Sequence, residues 1–500
     1  MHTQYTTTAV PQCSSLQCLT QNTTQYFTQK WTQSLATILT DNFAQNLILP
    51  LGAVLLVCLV VNLYYHYRGK KWQYPTSDFE ILHLHDWDIS NVKNGGHPPV
   101  SAISFFDCLE SDLPSAEAWI RARVTQIAVA NRWILGRLVH ATDTGRKSLA
   151  VPRSLSKEDL QRLFLTNPKH FCPSRDMNPE QLAKEYAKII LPYKSAAYDK
   201  EDVLACRFVF AHTPRGFCIV FSMSHTIGDG NTFYNIMNQL SESDEVRPLN
   251  PKRKLDFSDN IKSVVDSSME PGIGAIIAVV VSMFVTFLVN VIKRMFTRQK
   301  ARLLTGLIDN ERVAQVKAEA KRRGTVPFVS TNDIITSAFA NATGSDVCTA
   351  MAIDLRERMR GLTKSHAGNY IEVLLFDAAN TATPDRVRLA LLHPRFRCRD
   401  KPLPSICGGK ILSSQYGIIT NWASFSKPIH IPGCVEQLHQ PMMIELSAAL
   451  PYIPMAIMIV FRATAQRVGV LWLIPSRAGS DKDVLGDMPI ALDTLKCSEL

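Results

Sequence analysis

Short apolar stretches predict a chain of mixed strands and helices. The clearest is Phe208–Met223, which a turn at Pro214 and Gly216 divides into two strands. Further strands are predicted at Glu80–Leu84, Asp346–Leu355, Asn369–Phe376, Ile411–Thr420, Ala456–Ala463 and Val468–Ile474. Helical spacing of apolar residues predicts helices at Ser115–Val139, Pro179–Ile190, Leu303–Arg323 and Thr331–Ala342. Residues 244–262 are charged and contain two prolines, which is typical of a linker.

A long uncharged run near the start differs from these short elements. Leu47–Tyr65 has no charge over 19 residues, and as a helix it would be about 28 Å long, close to the thickness of the bilayer hydrocarbon. Arg68 and two lysines follow it, so the positive-inside rule puts that flank in the cytosol. We therefore predict a transmembrane helix at 47–66 and a polar lumenal tail at 1–46. The alternative is a buried core helix.

A second uncharged run, Gly272–Ile292, is also followed by basic residues. Because two consecutive spans cannot have the same orientation, only one of the two runs can cross in the simple way. We predict that 271–293 is an apolar membrane-associated helix that lies on the bilayer or dips into one leaflet. On this topology the glycosylation sequon at Asn22 faces the lumen and the sequon at Asn341 does not.

Composition narrows the function classes. Apolar residues make up 46% and charged residues 20% of the 500 residues, which excludes a disordered chain, and the length predicts two to four structural units. With 54 basic and 44 acidic residues the net charge is +10, which suits a membrane-facing or anion-binding protein, and we expect no nucleic-acid partner. Lys293–Arg323 carries ten basic and three acidic residues. It could hold CoA phosphates or anionic lipid, or it could be a solvated face.

Metal sites and disulfide frameworks are not expected. The twelve cysteines are scattered and include no C-x-x-C pair. His83, His85, Asp86 and Asp88 could suggest metal ligands, but their alternation fits the face of a strand. We therefore expect no metal.

Candidate chemistry is concentrated in Phe221–Leu240. An apolar strand leads into His225, and Asp229, Gly230 and an amphipathic helix follow. An imidazole can take a proton from a hydroxyl group near neutral pH and pass it to a leaving group. Asp229 could hold the turn or orient His225, while Gly230 permits a tight backbone. The alternative is a structural histidine whose partners are backbone groups at the end of a strand.

This stretch resembles a known family. SHTIGDG is similar to the HxxxDG signature of the CoA-dependent acyltransferase superfamily, which includes the BAHD transferases, the condensation domains of peptide synthetases and the wax ester synthase/diacylglycerol acyltransferase group. Other segments resemble motifs of that superfamily in the same order, namely Ser330–Ile335, Ile353–Arg358, Gly368–Ile371 and Ile419–Trp422. The BAHD D-F-G-W-G motif is absent, so the subfamily stays open.

The resemblance implies an α/β, two-lobed, chloramphenicol-acetyltransferase-like fold of mixed sheets with flanking helices. Its N-terminal lobe would be 80–265, which contains the HxxxDG motif, and its C-terminal lobe 300–500. His225 would be the general base in a channel between the lobes.

The resemblance also implies roles for other residues. Asp229, counted with His225 in the catalytic motif, would pair with Arg356, and this pair would support the motif together with Gly230. Arg358 lies two positions further on and would share a face with Arg356 on a regular strand, so it is the alternative partner of Asp229. Asn421 and Asn369 would lie on the acceptor or oxyanion side, with the backbone amides of 228–230 as other oxyanion donors.

The implied function is acyl transfer. We expect a membrane-bound O-acyltransferase that uses acyl-CoA as co-substrate, holds no bound cofactor, and esterifies a lipophilic alcohol such as diacylglycerol or a long-chain alcohol. Its expected location is the endoplasmic reticulum membrane, with the catalytic lobes cytosolic. One alternative is a condensation- or BAHD-like transferase that acts on a soluble alcohol or amine. Another is an inactive, membrane-tethered binding protein.

Overall fold

The computed structural model describes residues 77–85, 88, 98–140, 147–192, 202–265, 302–344, 348–399, 416–443, 455–474 and 490–491. All of them belong to one unit, Lys71–Leu500. The predicted lumenal tail (1–46), transmembrane helix (47–66) and membrane-associated helix (271–293) lie outside the described residues. Among the residues that are described, no helix is long and apolar enough to span a bilayer.

Strands and helices are interspersed along the described chain. The strands are β1 Phe79–His83, β2 Val100–Asp107, β3 Arg137–His140, β4 Lys147–Pro152, β5 Phe164–Thr166, β6 Cys206–Thr213, β7 Gly216–Met223, β8 Arg302–Ile308, β9 Cys348–Asp354, β10 Ile371–Phe376, β11 Tyr416–Asn421, β12 Val435–Pro441, β13 Met455–Arg462, β14 Val468–Ile474 and β15 Ile490–Ala491. The helices are α1 Leu113–Ala130, α2 Lys157–Leu163, α3 Pro179–Ala187, α4 Gly230–Met237, α5 Phe257–Asn260, α6 Asn310–Arg323, α7 Thr331–Thr343, α8 Ala378–Thr381 and α9 Pro384–Leu392.

The first large sheet positions the HxxxDG motif. Its strand order among the described residues is β12-β2-β7-β6-β5. β6 and β7 form an antiparallel hairpin whose register pairs Thr213 with Gly216. Gly216 has φ +149°, and a side chain there would collide with the backbone of Phe106, so the hairpin turn requires glycine. β7 is buried along its whole length, which matches its unbroken apolar sequence.

The second large sheet has the order β10-β9-β11-β13-β14-β8-β15 among the described residues. β11 runs parallel to both β9 and β13, and the other pairings are antiparallel. β12 lies between β11 and β13 in the sequence, but it pairs with β2 of the first sheet. A small third sheet has the order β1-β4-β3.

Among the described residues, three large apolar cores hold the two large sheets and their helices together. One packs the first sheet against α1 and α4, and a second packs the second sheet against α7 and α9. The third core lies between the two large sheets and includes Val220 from β7, Phe461 from β13 and Leu471 from β14. Burial of this shared core fixes the two sheets relative to each other.

The bounds of two predicted helices differ most from their apolar patterns. The helix predicted to reach Val139 ends at Ala130, because Asn131 turns the chain and its side chain bonds Leu249 N and Arg247 O. The helix predicted from Leu303 begins at Asn310, where Asp309 accepts hydrogen bonds from two backbone amides as the N-cap. The apolar residues before Asp309 form β8, since a short apolar run suits a buried strand as well as a helix.

Residues 244–262, predicted to be a linker, are packed against both halves of the molecule. Leu249 and Phe257 are buried in the first and second cores respectively. The segment therefore connects the two cores by packing into both of them, and its charged residues contribute to the site described below.

Candidate active site

The HxxxDG residues lie at the junction of β7 and α4. β7 ends at Met223, His225 lies in the following turn and is partly exposed, and Asp229 is the N-cap of α4. The Asp229 carboxylate accepts a hydrogen bond from Thr232 N at 2.9 Å. A Cβ on Gly230 would lie 3.1 Å from the indole nitrogen of Trp422. Glycine therefore lets the segment after β11 approach the start of α4.

Asp229 forms a buried ion pair with Arg356. The two guanidinium nitrogens donate to the two carboxylate oxygens at 2.8 and 3.2 Å, and Tyr370 N donates to the same carboxylate at 2.9 Å. Burial alone would raise the pKa of Asp229, but the charge and hydrogen bonds of Arg356, with the backbone amides of Thr232 and Tyr370, outweigh it and lower that pKa. The hydrogen bonds that the Asp229 carboxylate accepts come from these groups and not from His225. Asp229 therefore stabilises the turn that carries His225.

Arg356 also holds the loop that precedes β10. Its remaining donors reach the backbone oxygens of His366 and Gly368, both at 2.9 Å, and the Asp354 carboxylate at 2.8 Å. Gly368 has φ +146°, and a Cβ there would lie 3.1 Å from the guanidinium of Arg253. This loop is therefore packed too closely for any residue except glycine.

Asn369 follows this glycine and contacts the imidazole of His225. Its Oδ1 lies 3.1 Å from Nδ1 of His225. Its Nδ2 donates to the His225 carbonyl at 2.7 Å and to the Asp88 carboxylate at 2.6 Å. Because both of these partners can only accept, the amide can have only one orientation. Nδ1 of His225 must therefore donate to Asn369, so the neutral ring carries its lone pair on Nε2.

A second buried ion pair, between Arg253 and Asp88, holds the side chain of Asn369 in place. Nε of Arg253 donates to Asp88 at 3.0 Å, and other guanidinium nitrogens donate to the carbonyls of Ile227 and Ala367, both at 2.8 Å. The side chains of Asp88 and Arg253 are almost fully buried. Arg253 thus connects the turn after His225 to the loop before Asn369.

His85 completes this group of supporting residues. Its Nε2 lies 3.0 Å from the carbonyl oxygen of Asn369, and its Nδ1 accepts from Asp88 N at 3.2 Å. Nε2 is therefore the protonated nitrogen. Burial, aided by the charge of Arg253, lowers the pKa of His85 in spite of the nearby Asp88 carboxylate. His85 acts as a neutral hydrogen-bond donor, and within the described ranges no three His, Cys, Asp or Glu side chains are grouped to hold a metal ion.

Sequence reasoning missed the roles of His85, Asp88 and Arg253. The sequence analysis interprets His85 and Asp88 as part of a strand face and not as metal ligands, although a histidine and an aspartate directly after an apolar strand can signal buried pairing. Arg253 has no local signal, because its partner Asp88 lies 165 positions earlier in the chain.

Asn421 lies in a different hydrogen-bonded group. Its Nδ2 donates to Oδ1 of Asn332 at 3.0 Å, and its Oδ1 accepts from Ala423 N at 3.0 Å. These contacts tie the end of β11 to the start of α7. The structure thus brings one set of predicted site residues into a single network, namely His225, Asp229, Gly230, Arg356 and Asn369. Asn421 adjoins this network through its neighbour Trp422.

Comparisons with known proteins bear on the fold. No family model matches the sequence, and no curated protein matches it. Among solved structures, F. sporotrichioides TRI101 complexed with coenzyme A and T-2 is 12% identical, with a TM-score of 0.50 over 80% of this chain and 95% of that chain. The first condensation domain of the CDA synthetase is also 12% identical, with a TM-score of 0.50 over 83% of this chain and 98% of that chain. These similarities show that the chain shares its fold with TRI101 and with a condensation domain, and they confirm the predicted α/β class.

Proposed function

We propose that the protein is a CoA-dependent acyltransferase in which His225 is the general base. The observation that carries this proposal is the single possible orientation of the Asn369 amide, which places the lone pair of the neutral imidazole on Nε2. A base that acts on a hydroxyl group needs its lone pair on the nitrogen that meets the substrate. Asn369 and Asp88 supply this arrangement before substrate binds.

The proposed reaction has balanced atoms and charges. Nε2 of His225 removes the proton of the acceptor hydroxyl while the oxygen attacks the thioester carbonyl. The carbon–sulfur bond then breaks, and the imidazolium returns the proton to the departing sulfur. The products are an ester and free CoA. No serine or cysteine nucleophile takes part, because the acceptor itself attacks the acyl group.

Two groups have supporting roles in this proposal. Asp229 and Arg356 are positioning residues that fix the turn carrying His225. Asn421 is the proposed oxyanion donor, and it would use the Nδ2 hydrogen that does not bond to Asn332.

The proposed substrates are acyl-CoA and a lipophilic alcohol. The first rests on similarity in fold to a protein complexed with coenzyme A. The second rests on the sequence of 47–66 and 271–293, which predicts membrane association in the endoplasmic reticulum with both lobes cytosolic. The alternative is a soluble alcohol or amine as acceptor, which a fold shared with TRI101 and a condensation domain also favours.

An acceptor screen tests the proposal. Microsomes that express the full chain are supplied with labelled acyl-CoA and with diacylglycerol, a long-chain alcohol, a soluble alcohol or a soluble amine. We expect labelled ester only with the lipophilic alcohols, and only when His225 is intact. Transfer to the soluble acceptors would select the alternative. Binding of acyl-CoA without transfer to any acceptor would contradict the proposal that the protein is an acyltransferase and would indicate a binding protein.

A further inference from the structure

A basic and apolar surface on the second half of the molecule has no part in the proposed chemistry. It consists of 317–328, at the end of α6, and 384–397, which contains α9. We refer to it as the α6–α9 face. These two segments contain eight Lys or Arg residues and two Asp or Glu residues. One of the acidic residues, Asp385, is paired with Arg323 at 2.5 Å.

The two segments form one continuous surface. Asp385 accepts hydrogen bonds from both Arg323 and Thr325, the latter at 2.6 Å, and so joins the end of α6 to the start of α9. Further along, the guanidinium of Arg388 stacks over the ring of Phe328 with 4.4 Å from its carbon to the ring centre. Arg388 is itself paired with the buried Asp333 at 2.6 Å, so the charge of the face comes from its exposed cations, such as Lys321 and Arg395.

Three large apolar side chains of this face are exposed. Phe328 is 53%, Leu389 45% and Leu392 46% accessible to solvent. On α9, Val387 and Ala390 point into the second core, and the two leucines, three residues apart, lie on the opposite side of the helix. Exposed apolar groups that cluster within a basic rim mark an interaction surface.

We propose that the α6–α9 face docks onto a membrane surface that contains anionic phospholipid. The apolar side chains enter the boundary between headgroups and acyl chains, while exposed cations such as Lys321, Arg322 and Arg395 contact lipid phosphates. The apolar group makes a purely polyanionic partner such as nucleic acid a poor fit. The cations make a second copy of this chain a poor fit, since two such faces would repel each other.

Hydrogen–deuterium exchange of the full chain tests this proposal. The protein is reconstituted in vesicles of phosphatidylcholine alone or of phosphatidylcholine with phosphatidylserine, and exchange is followed by mass spectrometry. Peptides from 321–328 and 384–397 are expected to exchange several-fold more slowly in the anionic vesicles, and high salt is expected to remove the difference. A peptide around the exposed Val129 on α1 serves as the internal control and is expected to be unchanged.

A variant separates docking from any general effect of lipid. The double substitution Leu389→Gln and Leu392→Gln is expected to abolish the slower exchange, whereas the matched substitution Val129→Gln is expected to preserve it. All three substitutions replace an exposed apolar side chain with a polar one, so the cores stay intact, and equal melting temperatures would verify this.

Three results would overturn the proposal. One is equal exchange of the α6–α9 face in neutral and anionic vesicles. Another is slow exchange that grows with protein concentration in detergent, which would indicate a second copy of the chain. The third is the same slowing produced by free CoA without lipid, which would assign the cations to the phosphates of the substrate. Each result is independent of whether His225 is a catalytic base.

Discussion

Replacement of Arg356 by methionine is expected to leave the Asp229 carboxylate charged and buried without its counter-ion. In the native protein Asp229 is 0% and Arg356 3% exposed. The variant retains only the backbone amides of Thr232 and Tyr370 as partners of that carboxylate. The carbonyl of His366 also loses its donor. We therefore expect Arg356→Met to destabilise the fold strongly. Because methionine fills a volume similar to that of arginine, the effect reports the lost charge and hydrogen bonds.

The magnitude follows from the geometry of the pair. Removal of one partner of a buried ion pair costs about 3–5 kcal/mol, because the other charge remains buried. For a chain of this size that corresponds to a fall in melting temperature of about 3–5 °C. If Asp229→Asn is added, the uncompensated charge disappears. The double variant is then expected to be more stable than the sum of the two single changes by about 1–3 kcal/mol.

The pH dependence provides a second readout. The pKa of Asp229 is lowered in the folded state in spite of burial, so its contribution to stability is present above the unfolded-state pKa and is lost as the pH falls through the folded-state pKa. In Arg356→Met burial acts without the opposing charge, which raises the pKa of Asp229. The loss in free energy of unfolding of the variant relative to the wild type is therefore expected to be largest at neutral pH and to become smaller in acid.

Urea unfolding of the wild type, both single variants and the double variant, at neutral and mildly acidic pH, measures all these quantities. Two results would refute the reasoning. One is a loss below about 1 kcal/mol for Arg356→Met, which is the value expected of a solvent-exposed pair. The other is a deficit that grows as the pH is lowered.

Three further predictions concern the site, acid stability and topology. Asn369→Leu is expected to lower kcat by about 100-fold with little change in KM, because the imidazole of His225 loses its orienting acceptor; an increase in KM alone would contradict this. Burial lowers the pKa of His439 to about 3, so the stability gained from its neutral form is full above the unfolded-state pKa and is lost as the pH falls from about 6.5 towards 3. The free energy of unfolding of His439→Gln is accordingly expected to depend less on pH in that range than that of the wild type. The same pH dependence in both proteins would contradict this. On the predicted topology, glycosidase treatment shifts the mobility of the wild type and of Asn341→Gln but not of Asn22→Gln, and the reverse pattern would place the 300–500 portion in the lumen.

The chemistry-bearing motif could be predicted because it is local. His225, Asp229 and Gly230 lie within six residues between an apolar strand and an amphipathic helix, and both elements are found where the pattern puts them. The pairing of Arg356 with Asp229 was expected from family resemblance alone, because 127 positions separate them. Asn369 was predicted to lie on the acceptor or oxyanion side. Its contact with Nδ1 of His225 was not predicted, because it depends on Asp88, which no motif marks.

Contacts between distant parts of the chain explain what could not be predicted. β12 has the mixed sequence VEQLHQP, and it is a strand because it completes the first sheet beside β2, some 330 positions earlier. Its His439 lies buried between Ser104 and Tyr234, which no local pattern indicates. The helix predicted from Leu303 fails at its start for a related reason. The run up to Ile308 is apolar enough for either structure, and pairing with β14 selects the strand.

Acyl transfer by His225→Ala tests the central claim most directly. The rate of CoA release is compared in membranes that contain the wild type, His225→Ala or the control variant His212→Ala, whose side chain is exposed at the end of β6. The account predicts that His225→Ala loses at least about 100-fold in rate, while the control retains the wild-type rate and all three proteins are expressed equally. A wild-type rate of transfer by His225→Ala would contradict the account.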